Sequence, residues 1–232
     1  MKSQFSEFTY GYTVVEELSR AYGFSAVPSF PSLIEEGKEG GGYDVNLNIR
    51  GLPFFLQFKR SDFLSRSNAK YHSVFNGSYY RLNLHALRHS KQHNLLLHLE
   101  RCGNPVFYVA PKFYKNSDLQ TSYFNSSVAM NSLWVAPDEI GNLPDNEEHS
   151  ICFNESEYQV YLCSEPKLIE NRMSFKKDTL GEYISNFKRR DGYFQFHRNN
   201  WEELYSQMEH VFRKHDPSGY DKLVTFLDQE KN

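Results

Sequence analysis

The chain contains no apolar run approaching the roughly 20 residues that a membrane-spanning helix needs, which argues against a helical membrane protein. Its first residues, Met1-Lys2-Ser3-Gln4-Phe5-Ser6-Glu7, lack the apolar stretch of a secretory signal. Cysteine is scarce: Cys102, Cys152 and Cys163 make an odd number, and none sits in a C-x-x-C pair. A disulfide framework and a cysteine zinc site are therefore unexpected, and a reducing cytoplasm is the simplest compartment. There are no internal repeats and no low-complexity tract. Gly40-Gly41-Gly42 lacks the Lys-Ser/Thr that completes a phosphate-binding P-loop, so it reads as a turn letting the backbone come close beside Asp44. No Ser-His-Asp triad can be read from the scattered residues.

What is present suffices for a folded core. Aromatic residues are plentiful, with 19 Phe and 16 Tyr in 232 residues, so disorder is not the expectation. The net charge is only −3, but it is unevenly spread. Between Arg50 and Arg101 nine basic residues face two acids, Asp62 and Glu100, a net of +7 that leaves −10 for the rest. Such a segment suits either a solvated face or contact with a phosphate backbone.

The spacing predicts a short helix over 13–23, with Thr13 and Glu16 as a capping box and Gly23 as its stop. Two strands follow, Tyr43 to Ile49 with a two-residue polar/apolar alternation and Phe54 to Lys59, joined by the turn Arg50-Gly51-Leu52-Pro53. Residues 61–78 read as a polar loop, 82–99 as a helix and 106–110 as a short buried strand. Signals weaken beyond this point, with strand tendencies over 151–161 and amphipathic helices over 201–212 and 220–227. On the former helix Trp201, Tyr205, Met208 and Phe212 share a face suited to a core or dimer contact. The expectation is one α/β domain over 1–232, a central mixed sheet flanked by helices, with a core of about 10–115 and a mixed C-terminal extension of about 116–232.

One constellation carries chemistry. Gly42-Tyr43-Asp44 is followed thirteen residues later by Gln57-Phe58-Lys59. Side chains two apart on a strand share a face, so Gln57 and Lys59 point one way and Phe58 the other. A hairpin brings Asp44 beside them. Asp44 is a hard oxygen ligand suited to Mg²⁺ or Mn²⁺, and Gln57 and the Phe58 carbonyl offer further oxygens. Lys59 would orient a water or offset charge on a phosphoryl transition state. The plainer alternative is a turn aspartate with Gln57 and Lys59 on a solvated strand face.

These residues resemble the signature of the PD-(D/E)XK nuclease superfamily, Asp-(x)n-(Glu/Asp/Gln)-x-Lys across a β-hairpin. The Gln form is similar to that of Mrr-type restriction endonucleases. The resemblance covers roughly residues 10 to 110 and implies a restriction-endonuclease-like core of helix, three-stranded meander, helix and strand. It departs from the pattern in having no Pro before Asp44 and Gln57 in an acid's place. The resemblance implies a metal-dependent DNA endonuclease, RNA remaining open as a substrate, in restriction or anti-phage defence, acting as a homodimer or with a partner subunit. Its catalytic set would be Glu17, Asp44, Gln57 and Lys59, with Asp44, Gln57 and Glu17 on the metal. Helical geometry favours Glu17 over Glu16 for the extra carboxylate, with Glu35 and Glu36 as competing sources. A nuclease-like module that has lost catalysis and binds nucleic acid or a partner protein is the alternative, and the acidic C-terminal half is a further candidate for contacting a partner.

His85, His89 and His93 recur every four residues, a spacing that chelates zinc on one helix face but here lacks a neighbouring Glu. The preferred reading is a polar helix face of partly solvated histidines. Arg60, Arg81, Arg88, Lys91 and Gln92 are the candidate nucleic-acid contacts.

Overall fold

A computed structural model describes residues 1–31, 42–101, 103–155, 160–163, 167–169, 179–190 and 213–214. The expected helices over 201–212 and 220–227, and the face of Trp201, Tyr205, Met208 and Phe212, lie outside the described residues, as do Glu35 and Glu36.

The first helix, α1 (Glu7–Tyr22), begins six residues before the expected start. Ser6 caps it, its hydroxyl accepting from Thr9 N at 2.9 Å. Thr13 is interior and turns its hydroxyl back onto the Tyr10 carbonyl. Gly23 ends the helix at positive φ, as its sequence position predicts.

The hairpin forms as expected from β1 (Val45–Ile49) and β2 (Leu52–Phe58), with Val45 opposite Leu56. Residues 24–29 run antiparallel beside β1 as an irregular third member, through Phe24 opposite Ile49 and Ser29 opposite Asn46. Pro28 has no N–H to donate, which suits an interrupted edge. Next come β3 (Asp62–Leu64), β4 (Tyr79–Leu84), α2 (Gln92–Arg101) and β5 (Val106–Pro111). The remaining elements are α3 (Asn116–Phe124), β6 (Ser132–Val135), α4 (Pro137–Ile140), β7 (His149–Phe153), β8 (Val160–Leu162), β9 (Lys167–Leu168) and α5 (Thr179–Arg190).

Where one central sheet is expected, there are two. The first, ordered β1-β2-β5-β6, is mixed, with β2 and β5 parallel. The second, β3-β4-β7-β8-β9, has antiparallel pairings throughout. Strand alternation divides the core between them. Val45, Leu47, Phe54, Leu56 and Phe58 face α1 and α5, while Phe55 and Tyr108 face α2 and the inner side of the second sheet. The generic α/β expectation stands.

Two further expectations are corrected. The helix predicted over 82–99 starts only at Gln92, because Tyr80, Leu82 and Leu84 bury alternate positions of a strand between the sheets. The polar loop over 61–78 contains β3, and its Phe75 packs with Tyr79, Cys152 and Cys163 on the outer face of the second sheet.

Candidate functional site

Asp44 immediately precedes β1, and Lys59 immediately follows β2, where the parallel pair β2 and β5 presents its C-terminal ends. Ligand sites of open α/β sheets favour that end. Gln57 and Lys59 project to the α2 side, and Phe58 to the α1 side, as alternation predicts.

Four polar side chains form one continuous chain. The Lys59 ammonium donates to Gln92 Oε1 at 2.9 Å. The Gln92 amide donates to Gln57 Oε1 at 3.0 Å. Gln57 Nε2 then donates to Asp44 Oδ2 at 2.8 Å and to the Phe58 carbonyl at 3.0 Å. Asp44 Oδ2 also accepts from Phe58 N at 2.6 Å. An ammonium at one end and a carboxylate at the other thus orient two amides in series. Gln57 is 2% exposed and Lys59 5%, so little water competes for these bonds.

Gln92 is placed by the glycine before the aspartate. Gly42 has φ +80°, and a β-carbon there would lie 2.7 Å from the Gln92 carbonyl oxygen. The first turn of α2 can therefore approach only a glycine. Two histidines border this side. His85 lies just past β4, its pKa lowered by the Lys59 charge and then by burial. His93, in α2, is buried, and that burial is the main cause lowering its pKa. Its Nε2 lies 2.8 Å from the Gly141 carbonyl, which can only accept, so Nε2 carries the proton and Nδ1 accepts from the Tyr108 hydroxyl. Burial first, and the Asp44 charge second, raise the Tyr108 pKa.

On the opposite face a cleft of about 440 Å³ opens beside Asp44. Phe8 and Tyr12 from α1, Phe30 and Phe58 form much of its wall. The first three remain 81%, 58% and 55% exposed. Among the described residues, Glu7 and Asp44 are the charged groups of the lining. Glu7 Oε2 accepts from the Arg60 backbone N–H at 3.1 Å, so the Arg60 backbone adjoins this lining residue, with its exposed side chain following. Gly11 lets α1 lie against Phe58, since a β-carbon there would stand 2.6 Å from its ring.

Asp44, Gln57, Lys59 and Gln92 are therefore brought together, and Glu17 is not among them. Its carboxylate turns to the other end of α1's buried face and accepts from Val128 N at 2.6 Å and Ala129 N at 3.4 Å. Glu16 pairs with Arg20 at 3.4 Å. The α1 acid that reaches the Asp44 cleft is Glu7. A helix expected to start at Thr13 leaves Glu7 out, although Ser6 followed by an acid is a recognisable helix start.

These placements overturn the metal site. Among the described residues no three His, Cys, Asp or Glu side chains converge to hold a metal ion. The oxygens expected as ligands face inward: Gln57 Oε1 accepts from Gln92 and the Phe58 carbonyl accepts from Gln57. The expectation of an Mg²⁺- or Mn²⁺-dependent nuclease using Asp44, Gln57 and Glu17 is accordingly corrected, and with it the hydrolase and defence reading. Zinc on a histidine helix fails for the same reason, because only His93 of the three is helical.

The basic candidates are dispersed. Arg60 and Lys91 are exposed. Arg81 pairs with Asp62 at 3.1 Å, and Arg88 pairs with Glu147 while also donating to His89. No helix among the described residues is long and apolar enough to cross a membrane. Comparison with known proteins finds no matching family model, no matching curated protein and no matching solved structure.

Proposed function

We propose that this protein binds single-stranded nucleic acid at the β2 end of its first sheet. The observation that carries the reading is the aromatic cleft: Phe8, Tyr12 and Phe30 keep large apolar surfaces in water around a cavity of ligand size. Exposed rings lining a cleft are the usual platform on which unpaired bases stack. Arg60 at the rim supplies a cation for the backbone that follows the base. The polar chain from Lys59 to Asp44 has a positioning part in this reading. It fixes Asp44 against Phe58 N, and so fixes the edge where the cleft meets the sheet.

The resemblance to the PD-(D/E)XK core is part of the same proposal. In its support, α1, the irregular antiparallel segment 24–29 beside the β1-β2 hairpin, α2 and β5 follow one another in the order of that core, with β3 and β4 inserted. A double helix fits the reading less well, because stacked and paired bases cannot enter an aromatic cleft.

The test is fluorescence anisotropy with labelled single- and double-stranded DNA and RNA of mixed sequence, in EDTA. Binding of single strands, weakened by Phe8→Ala and by Tyr12→Ala, is the expected result. Equal affinity of both variants and the original protein for every strand removes the cleft from the reading.

A further inference from the structure

We infer that the cleft beside Asp44 selects an unpaired guanine. The inference rests on the proposal that single strands bind there and adds which base enters. Phe8, Tyr12 and Phe30 offer exposed π-faces that accept any base, so the walls do not discriminate. Discrimination falls to the polar groups of the lining, and its two charged members among the described residues, Glu7 and Asp44, are carboxylates. An ionised carboxylate only accepts hydrogen bonds.

Of the four bases, guanine alone presents two adjacent donors and no acceptor between them, N1–H and N2–H, spaced like the two oxygens of a carboxylate. Cytosine and adenine each set a ring acceptor beside their amino group, and that lone pair would face a carboxylate oxygen. Thymine and uracil place one N–H between two carbonyls. A carboxylate contact in this cleft therefore matches the guanine edge and opposes the others. The same edge is occupied in a duplex, which requires the base to be unpaired.

Glu7 is the carboxylate best placed for this contact. It stands at the first position of α1, half-exposed, with its Oε2 oriented by Arg60 N. A well-formed bidentate contact discriminates by roughly tenfold or more against the wrong base.

The experiment compares 12-residue oligothymidylate with the same strand carrying one central guanine, cytosine, adenine or inosine, in EDTA. The expected result is about tenfold tighter binding of the guanine strand, part of which inosine loses because it lacks the N2 amino group. Glu7→Gln should remove the preference while keeping an acceptor for Arg60 N, whereas Phe8→Ala should weaken every strand alike. Equal binding of all five strands overturns the guanine assignment and leaves single-strand binding intact. Failure of every strand overturns both. Guanosine monophosphate binding as tightly as the guanine strand would overturn the assignment to a strand in favour of a free nucleotide.

Discussion

Gly42 and Gln92 touch so closely that any side chain at position 42 would meet the carbonyl oxygen of the first α2 residue, 2.7 Å from where a β-carbon would stand. Gln92 in turn links Lys59 to Gln57. Gly42→Ala should then destabilise the fold by about 2 kcal/mol or more, from strain at positive φ and from pushing α2 away. Urea unfolding measures this, and an unchanged midpoint would contradict the contact.

Lys59 and Gln92 should be energetically coupled. Gln92→Leu deprives a buried ammonium of an acceptor and leaves Gln57 Oε1 without its donor, a loss of roughly 2–3 kcal/mol. Lys59→Met alone should cost less, because it removes the charge together with its demand. The double variant should be more stable than the sum of the single losses implies, by about 1 kcal/mol. A double-mutant cycle on thermal or urea unfolding reads the coupling, and strict additivity would deny it.

The hairpin, its two faces and the turn glycine were legible in the sequence because each follows from a local rule. Alternation over 43–49 and 54–59 predicts which side Gln57, Phe58 and Lys59 occupy, and the structure agrees. Gly23 and β5 were legible for similar reasons. The second sheet was not. Tyr80, Leu82 and Leu84 satisfy a strand period, but Leu84, Leu87, Leu95 and Leu99 also satisfy a helical one, and only pairing with the distant β7 decides between them. Gln92 stands among the sequence candidates, but its contact with Gln57 was hidden, since within a continuous helix over 82–99 it has no reason to meet that residue. Glu17 shows the limit most clearly. Helical phase places it beside the apolar face, but whether it meets Asp44 or the backbone of 128–129 depends on a loop more than a hundred residues away.

Glu17 and Glu7 should accordingly separate stability from binding. Glu17→Ala leaves the buried N–H of Val128 without its acceptor and should destabilise by about 2 kcal/mol, with single-strand affinity unchanged below the unfolding transition. Glu7→Gln should do the reverse, altering which strand binds with little change in stability. Calorimetry together with anisotropy on both variants checks this, and a binding defect in Glu17→Ala at a temperature where it is folded would argue against the division.

Removing the rim cation should change salt dependence more than base preference. Arg60→Ala is expected to lower affinity for every single strand and to reduce the slope of log affinity against log salt by about 0.7, the value for one phosphate contact on a single strand. Titrations at several salt concentrations give the slope directly. An unchanged slope would place the backbone elsewhere.

Glu100 makes stability depend on pH near neutrality. It lies in α2, half-buried, and its Oε2 accepts from Asp138 N at 2.6 Å. Burial first, then the charges of Asp138 and Glu139, push its pKa up to about 7 from 4.5, against the opposing pull of the Asp138 N–H and Arg101. Between these two values the folded chain holds a proton that the unfolded chain has lost. This contribution is therefore complete below about pH 4.5 and disappears as pH rises through about 7. Above that, the ionised carboxylate faces two acids where α2 docks on α4. Glu100→Gln keeps an acceptor for Asp138 N without the charge, so it should be more stable than the original at pH 8 and nearly equal to it at pH 5. Melting temperatures across that range measure the difference, and a gap that widens towards acid would reverse the assignment.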